Sequence, residues 1–284
     1  DLAPAWGLDQ ALARASLLAP EWASDQALVR SLGQAPAVAV GWWVSGGHIS
    51  SSAYVTPAFA GLALNIAANI LFLMAMRASP FSVSIPFLSF TPVFSAILAI
   101  PILDETPTTT QIAGICAVVV GATVITSDGA VDDQGRRRNL WRAFLNERGA
   151  VYMTLVALCW STTTVLDKLA TTHADLPIHA LVMNCGVGIL LGAYLVARGR
   201  AREFEGARRH PWALLIGMVV GGAAFAFQLL AIQGLLVGVV ETVKRAVGLI
   251  IALVIGRLAF HESVTAPRIV GAVIMGLGTA LIVS

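Results

Sequence analysis

The stretch from Val239 to Glu262, VVETVKRAVGLIIALVIGRLAFHE, most limits what this chain can fold into, because it is apolar and long yet carries Glu241, Lys244 and Arg245. A bilayer core of about 30 Å takes about 20 helical residues at 1.5 Å each, and the run supplies them. On a helix, Glu241, Lys244, Arg245 and Gly248 follow the i, i+3, i+4, i+7 spacing and share one face. Val239, Val243, Val247, Ile250 and Leu253 make the other faces apolar. A Lys or Arg at the bilayer centre costs roughly 2.5 to 3.5 kcal/mol on insertion scales, so the charged face must look onto protein or water. It is read as lining a water-filled cavity. The alternative is a structural pair in which Glu241 neutralises one cation and the rest snorkels or packs.

Seven further apolar runs bracket this one, giving spans at 53–76, 81–103, 109–126, 150–171, 178–197, 212–233, 239–260 and 267–284. With 57% hydrophobic and 12% charged residues, the chain reads as an all-α, polytopic integral membrane protein whose surroundings are a lipid bilayer. A net charge of +2, scattered among loops, argues against nucleic acid as a partner. Cys116, Cys159 and Cys185 fall inside spans without metal or disulfide spacing, and the five histidines are dispersed, so no cofactor or metal is expected.

Residues 1–52 differ from the rest. Charges and Pro4, Pro20 and Pro36 interrupt them, short amphipathic helices are expected over 11–18 and 25–32, and Trp6, Trp22, Trp42 and Trp43 suit an interface. They read as a polar or amphipathic loop or insertion. Residues 128–149, rich in arginine, read as a linker between halves at 53–127 and 150–284. Gly188 with Gly192, and Gly217 with Gly221, allow close helix approach, read first as intrachain packing and otherwise as a homodimer contact.

Writing 62–127 over 219–284, at an offset of 157, exposes an internal repeat. It pairs Leu73 with Leu230, Glu105 with Glu262, Thr108 with Thr265, Gly114 with Gly271, Gly121 with Gly278, and Ile125 with Ile282. Glu105 and Glu262 then stand at turns just before Thr108 and Thr265, where they are read as caps of the helix that follows. Opposite the charged face of the second half, the first half has Ser84, Phe87, Leu88 and Thr91. It contributes shape and hydroxyls rather than charge. The fourth and fifth spans have no apolar counterpart in residues 1–50, so two helices are expected before Asp1, giving two five-helix bundles of inverted orientation.

The segments FTPVFSAILAIPILDETPTTTQIAGICAVVVGATVI and VETVKRAVGLIIALVIGRLAFHESVTAPRIVGAVIMGLGTALIV resemble the EamA-type branch of the drug/metabolite transporter superfamily, as does ALCWSTTTVLDKLA. The resemblance implies secondary transport of a small metabolite, by exchange or ion coupling, without a cofactor. Lys244 and Arg245 also resemble the basic pair of plastid triose-phosphate translocators, which implies an anionic group on the substrate.

Other polar positions can line the same cavity. Trp160, Thr164 and Lys168 lie at i, i+4, i+8, with Lys168 either a second anion contact or an interfacial anchor. Asn65, Asn69, Asn184 and Gln228 can face a cavity or bond helix to helix. Pro86 and Pro92 bracket Thr91 and should interrupt the second span. The substrate-binding set is therefore Glu241, Lys244, Arg245, Lys168, Trp160, Thr91 and Asn69. Two alternatives remain: an exporter of neutral or cationic compounds with a structural ion pair, and a membrane enzyme, for which Asp132 and Asp133 are the nearest candidates. A cell membrane of bacterial type is the expected location, and the arginine-rich loops are expected to be cytoplasmic.

Overall fold

The computed structural model describes residues 47–78, 85–127, 148–197, 211–259 and 265–283. The helices expected over 11–18 and 25–32, most of the linker and Glu262 lie outside them. Eight α-helices follow in chain order: α1 (Val55–Ala78), α2 (Thr91–Leu103), α3 (Thr109–Ser127), α4 (Arg148–Thr171), α5 (Leu176–Ala197), α6 (Pro211–Gly234), α7 (Val237–Ala259) and α8 (Ala266–Val283). By length and composition alone, the helix at Ser52–Ala78 and α4 are long and apolar enough to cross a membrane, and shorter apolar helices accompany them.

The second span is split, for a backbone reason. A proline lacks the N–H that an interior helix position donates, so it is tolerated in a first turn. Residues Ile85–Phe90 form a 3-10 helix, and Pro92 stands in the first turn of α2. At the other end Asp104 adopts a left-handed conformation, φ 55°, and the Glu105 N–H donates to the Ala99 carbonyl at 3.3 Å. Thr108 and Gln111 then start α3 with a reciprocal cap, in which the Thr108 N–H donates to Gln111 Oε1 at 2.9 Å and the Gln111 N–H to Thr108 Oγ1 at 3.3 Å.

α4 is the central helix, meeting α1, α2, α5, α6 and α7. It packs on α1 and the 3-10 helix through Ala68, Ala75, Phe87, Leu88, Met153, Val156 and Ala157, and on Ala99 of α2 and Val237 of α7 through Val165. It also holds many hydroxyls, most of them bonded to the carbonyl four residues back: Thr154 to Ala150, Ser161 to Ala157, Thr162 to Leu158, Thr163 to Cys159 and Thr164 to Trp160. A helix can carry such a row through an apolar medium because each donor is satisfied by its own backbone.

The repeat is visible in the seam between α3 and α8. A Cβ on Gly114 would stand 2.6 Å from the Gly278 carbonyl and one on Gly278 would stand 2.8 Å from that of Gly114; Gly121 and Gly271 approach each other in the same way, at 2.6 and 2.7 Å. Ile282 fills the space over Gly114, and Ile125 the space over Gly271. Exchanging each residue for its repeat partner turns every one of these contacts into another of them. The seam therefore has a local two-fold axis with antiparallel helices, as inverted repeats require. Large side chains such as Phe59, Ile97, Val120, Trp212, Phe227, Ile269 and Leu277 are exposed on the outer surface.

Candidate functional site

The charged face of α7 meets α4, α2 and α6. Glu241 is 2% exposed. Its Oε1 accepts from Lys244 Nζ at 2.5 Å and lies 3.1 Å from Thr164 Oγ1. The Thr164 hydroxyl has a single proton and is also 3.0 Å from the Trp160 carbonyl. The carboxylate is the stronger acceptor of the two. Lys244, with 48% of its side chain exposed, also donates to Gln228 Oε1 at 3.0 Å. This fixes α6 to the same face.

Arg245 turns the other way, toward the first half. Its Nη2 donates to Thr91 Oγ1 at 3.1 Å, and Thr91 donates in turn to the Leu88 carbonyl at 2.5 Å. Ser161 Oγ, 2.6 Å from the Ala157 carbonyl, also lies 2.9 Å from the Thr91 carbonyl, so its single proton is shared between α4 and the same turn of α2. Among the described residues, Arg245 makes this one hydrogen bond and no ion pair, although a guanidinium has five N–H donors. One turn beyond Thr91, the buried Ser95 hydroxyl has no partner. Beside the cations, a Cβ on Gly248 would meet nothing within 4 Å.

The other expected residues are placed differently. Lys168 does not join this face: its Nζ donates to Glu105 Oε1 at 2.6 Å and to the Leu235 carbonyl at 2.7 Å, with the ammonium enclosed at the far end of α4. Its charge is met by Glu105 rather than presented on the charged face of α7. Trp160, partly buried, packs with Phe72 at a ring separation of 6.0 Å beside the α1–α4 core. Asn69 bonds along its own helix, to the Asn65 carbonyl at 2.8 Å and to Asn65 Oδ1 at 2.9 Å. Glu105 is a cap, but of a distant helix: its Oε2 accepts the Val237 N–H at 2.8 Å at the start of α7. Thr108 and Gln111 do locally what was expected of it.

Sequence reasoning passed over a second buried group. His179 and Asp167 are 3.0 Å apart, and Tyr54 Oη is 3.2 Å from the other ring nitrogen of His179. The signal was present in the spacing. Asp167 and His179 each stand six residues from His173, in the turn between α4 and α5, so an antiparallel hairpin sets them opposite each other.

Comparison with known proteins bears directly on this arrangement. Residues 18–127 and 147–284 match the EamA-like transporter family. The chain belongs to that family. Its members are integral membrane proteins, transporters of small molecules rather than enzymes. The first matched stretch begins at residue 18, within the N-terminal segment read as a loop or insertion. A solved structure titled "Crystal structure of protein" shares the fold at a TM-score of 0.69 and 13% identity, over 92% of this chain and 88% of that one. No curated protein matches.

Proposed function

We propose that this EamA-like protein is a secondary carrier of a small metabolite with an anionic group, bound where α7 faces α2, α4 and α6. The observation that carries the reading is the state of Arg245: a cation inside the bundle, held by one hydroxyl, with donors left over. A carboxylate or phosphate fits a planar guanidinium through two parallel hydrogen bonds. Lys244, half exposed and bonded to Glu241 and Gln228, adds a second positive charge from the same face, and Thr91 and Ser95 add hydroxyls from the first half. The location proposed is a bacterial inner membrane, where helical bundles rather than β-barrels are inserted.

A second reading is favoured by the Lys244–Glu241 pair, closed at 2.5 Å, which would leave a site for neutral or cationic compounds. Proteoliposomes challenged with labelled carboxylates, phosphate esters, neutral solutes and organic cations separate the two. The expected result is exchange or uptake of an anion, reduced at least about tenfold in Arg245→Gln at equal protein content. Transport confined to neutral or cationic solutes, or unchanged anion transport in that variant, overturns the reading.

A further inference from the structure

The Asp167–His179–Tyr54 group is not used by the carrier reading above, yet it is among the most enclosed polar sets in the chain. His179 is 0% exposed, Asp167 2% and Tyr54 4%. The Tyr54 ring stands edge-on to the imidazole, with centroids 5.8 Å apart. A carboxylate and an imidazole inside a membrane bundle are expensive to bury, and ionisable groups retained there are commonly proton relays.

We propose that Asp167 and His179 together form a proton-binding site that couples proton movement to substrate movement. The proposal rests on the carrier reading and specifies its coupling ion.

The chemistry is confined to one proton. A neutral imidazole donates from one ring nitrogen and accepts at the other; taking a second proton makes both nitrogens donors. Here one nitrogen faces the Tyr54 hydroxyl and the other faces Asp167 Oδ1. A proton arriving from water past Tyr54 can be taken up on the first side and its equivalent passed to the carboxylate on the second, with only O–H and N–H bonds exchanged. The neighbouring backbone, Ser52 and Ala53, is exposed, so this end lies close to the surface of the bundle. His48, His173 and Asp175 stand beyond Tyr54 at that surface, where the His48 N–H donates to Asp175 Oδ2 at 2.7 Å.

On the inner side, Asp167 is one turn along α4 from Thr164, whose hydroxyl reaches Glu241. The charged groups facing the pair from α7 are Glu241 and Lys244, both within Coulombic reach of Asp167, with Arg245 one residue on. α1 presents Gly61, whose Cβ position would be 3.8 Å from Asp167 Oδ1 and which brings no titratable group. Between α2 and α6–α7, Glu105 and Lys168 neutralise each other. With Asp167 ionised and His179 neutral, two carboxylates balance the two cations Lys244 and Arg245. One added proton leaves the set with a single positive charge, so proton and anion each favour the other's binding, as linkage requires. Anion binding therefore strengthens as pH falls.

Two measurements test this. In lipid nanodiscs, with the proton as the only ligand, infrared titration should show a carboxyl or imidazole change that disappears in Asp167→Asn and is altered in His179→Gln; identical titrations for wild type and Asp167→Asn overturn the proposal. In proteoliposomes, using whichever labelled anion the panel identifies, wild-type accumulation should follow an imposed pH gradient. The ratio of gradient-driven accumulation to counterflow should fall at least about tenfold in Asp167→Asn. Its exchange should become independent of pH, because Asn imitates the protonated acid. Tyr54→Phe provides a milder variant and should slow the gradient-driven rate without shifting the pH midpoint. A wild-type pH response retained by Asp167→Asn sinks the proton site while leaving the carrier standing; absence of any anion counterflow in wild type sinks the carrier reading itself.

Discussion

Glu105 carries two loads with two oxygens, since Oε1 takes the Lys168 ammonium and Oε2 takes the first N–H of α7. One side chain thereby joins the end of α2 to the end of α4 and the start of α7. Replacing it by Gln keeps one acceptor and removes the charge. Lys168, with 20% of its side chain exposed, is left with the Leu235 carbonyl as its remaining partner. A hydrogen bond to a charged group contributes about 1.5 to 3 kcal/mol, so Glu105→Gln should lower the thermal midpoint in detergent by several degrees. An unchanged midpoint would mean that the joint is not structural. That Glu105 is a cap was legible, because a carboxylate at a helix turn complements a dipole. Which helix it caps was not, since the answer depends on a contact 132 residues away. The partner of Lys168 was hidden for the same reason: an apolar run shows that a lysine needs a partner, but not which one. Asp167 and His179 were readable from their equal distances to the hairpin turn, and were obscured by treating the histidines only as dispersed metal-ligand candidates.

Helix boundaries follow closely from the apolar runs, because a segment that must bury or expose only apolar atoms ends where charge, proline or glycine begins. Pro86 and Pro92 likewise announce the interruption ahead of α2. The repeat alignment goes further, for it names the glycines of the α3–α8 seam and requires their contacts to be symmetric. What it cannot supply is the closeness of the approach, which depends on both backbones at once. At Gly121 and Gly271 a Cβ would collide with the partner backbone, which cannot swing aside as a side chain can. Gly121→Val should therefore push the helices apart and destabilise the fold by about 1 to 3 kcal/mol, whereas Gly276→Ala on the same α8, with nothing within 4 Å, should be close to neutral. Thermal melts of the two variants in detergent check this. Equal melts would show that the seam is loose enough to absorb a side chain.

At the scale of the whole molecule, the contacts sort the connections into two ends. Ser50 pairs with His173, and Asp175 with His48, while Glu105, Lys168, Leu235 and Val237 meet through side chain and backbone. The segments at 47–51, 104–108, 172–175 and 235–236 thus form one end of the bundle, as eight helices of alternating direction require. Among the described lysines and arginines, that end has Lys168, already paired. The connections toward the opposite end carry or adjoin Arg77, then Arg136, Arg137, Arg138, Arg142 and Arg148, then Arg198, Arg200, Arg202, Arg208 and Arg209, then Arg257 and Arg268. Lysine and arginine near helix ends in short loops are retained on the cytoplasmic side during insertion. The arginine-rich end should therefore be cytoplasmic, with the α4–α5 turn and the C-terminal end of α8 outside. Members of the superfamily are usually described with both termini inside, so this orientation sets the charge pattern of this chain against the family habit. It would also place the Tyr54 end of the Asp167–His179 pair toward the outer solution. A single cysteine in the 128–147 segment of a cysteine-free variant decides the matter. The expected result is protection from an impermeant maleimide in intact cells and labelling after the membrane is opened. Labelling in intact cells would invert the molecule and reverse the direction in which the proton site opens.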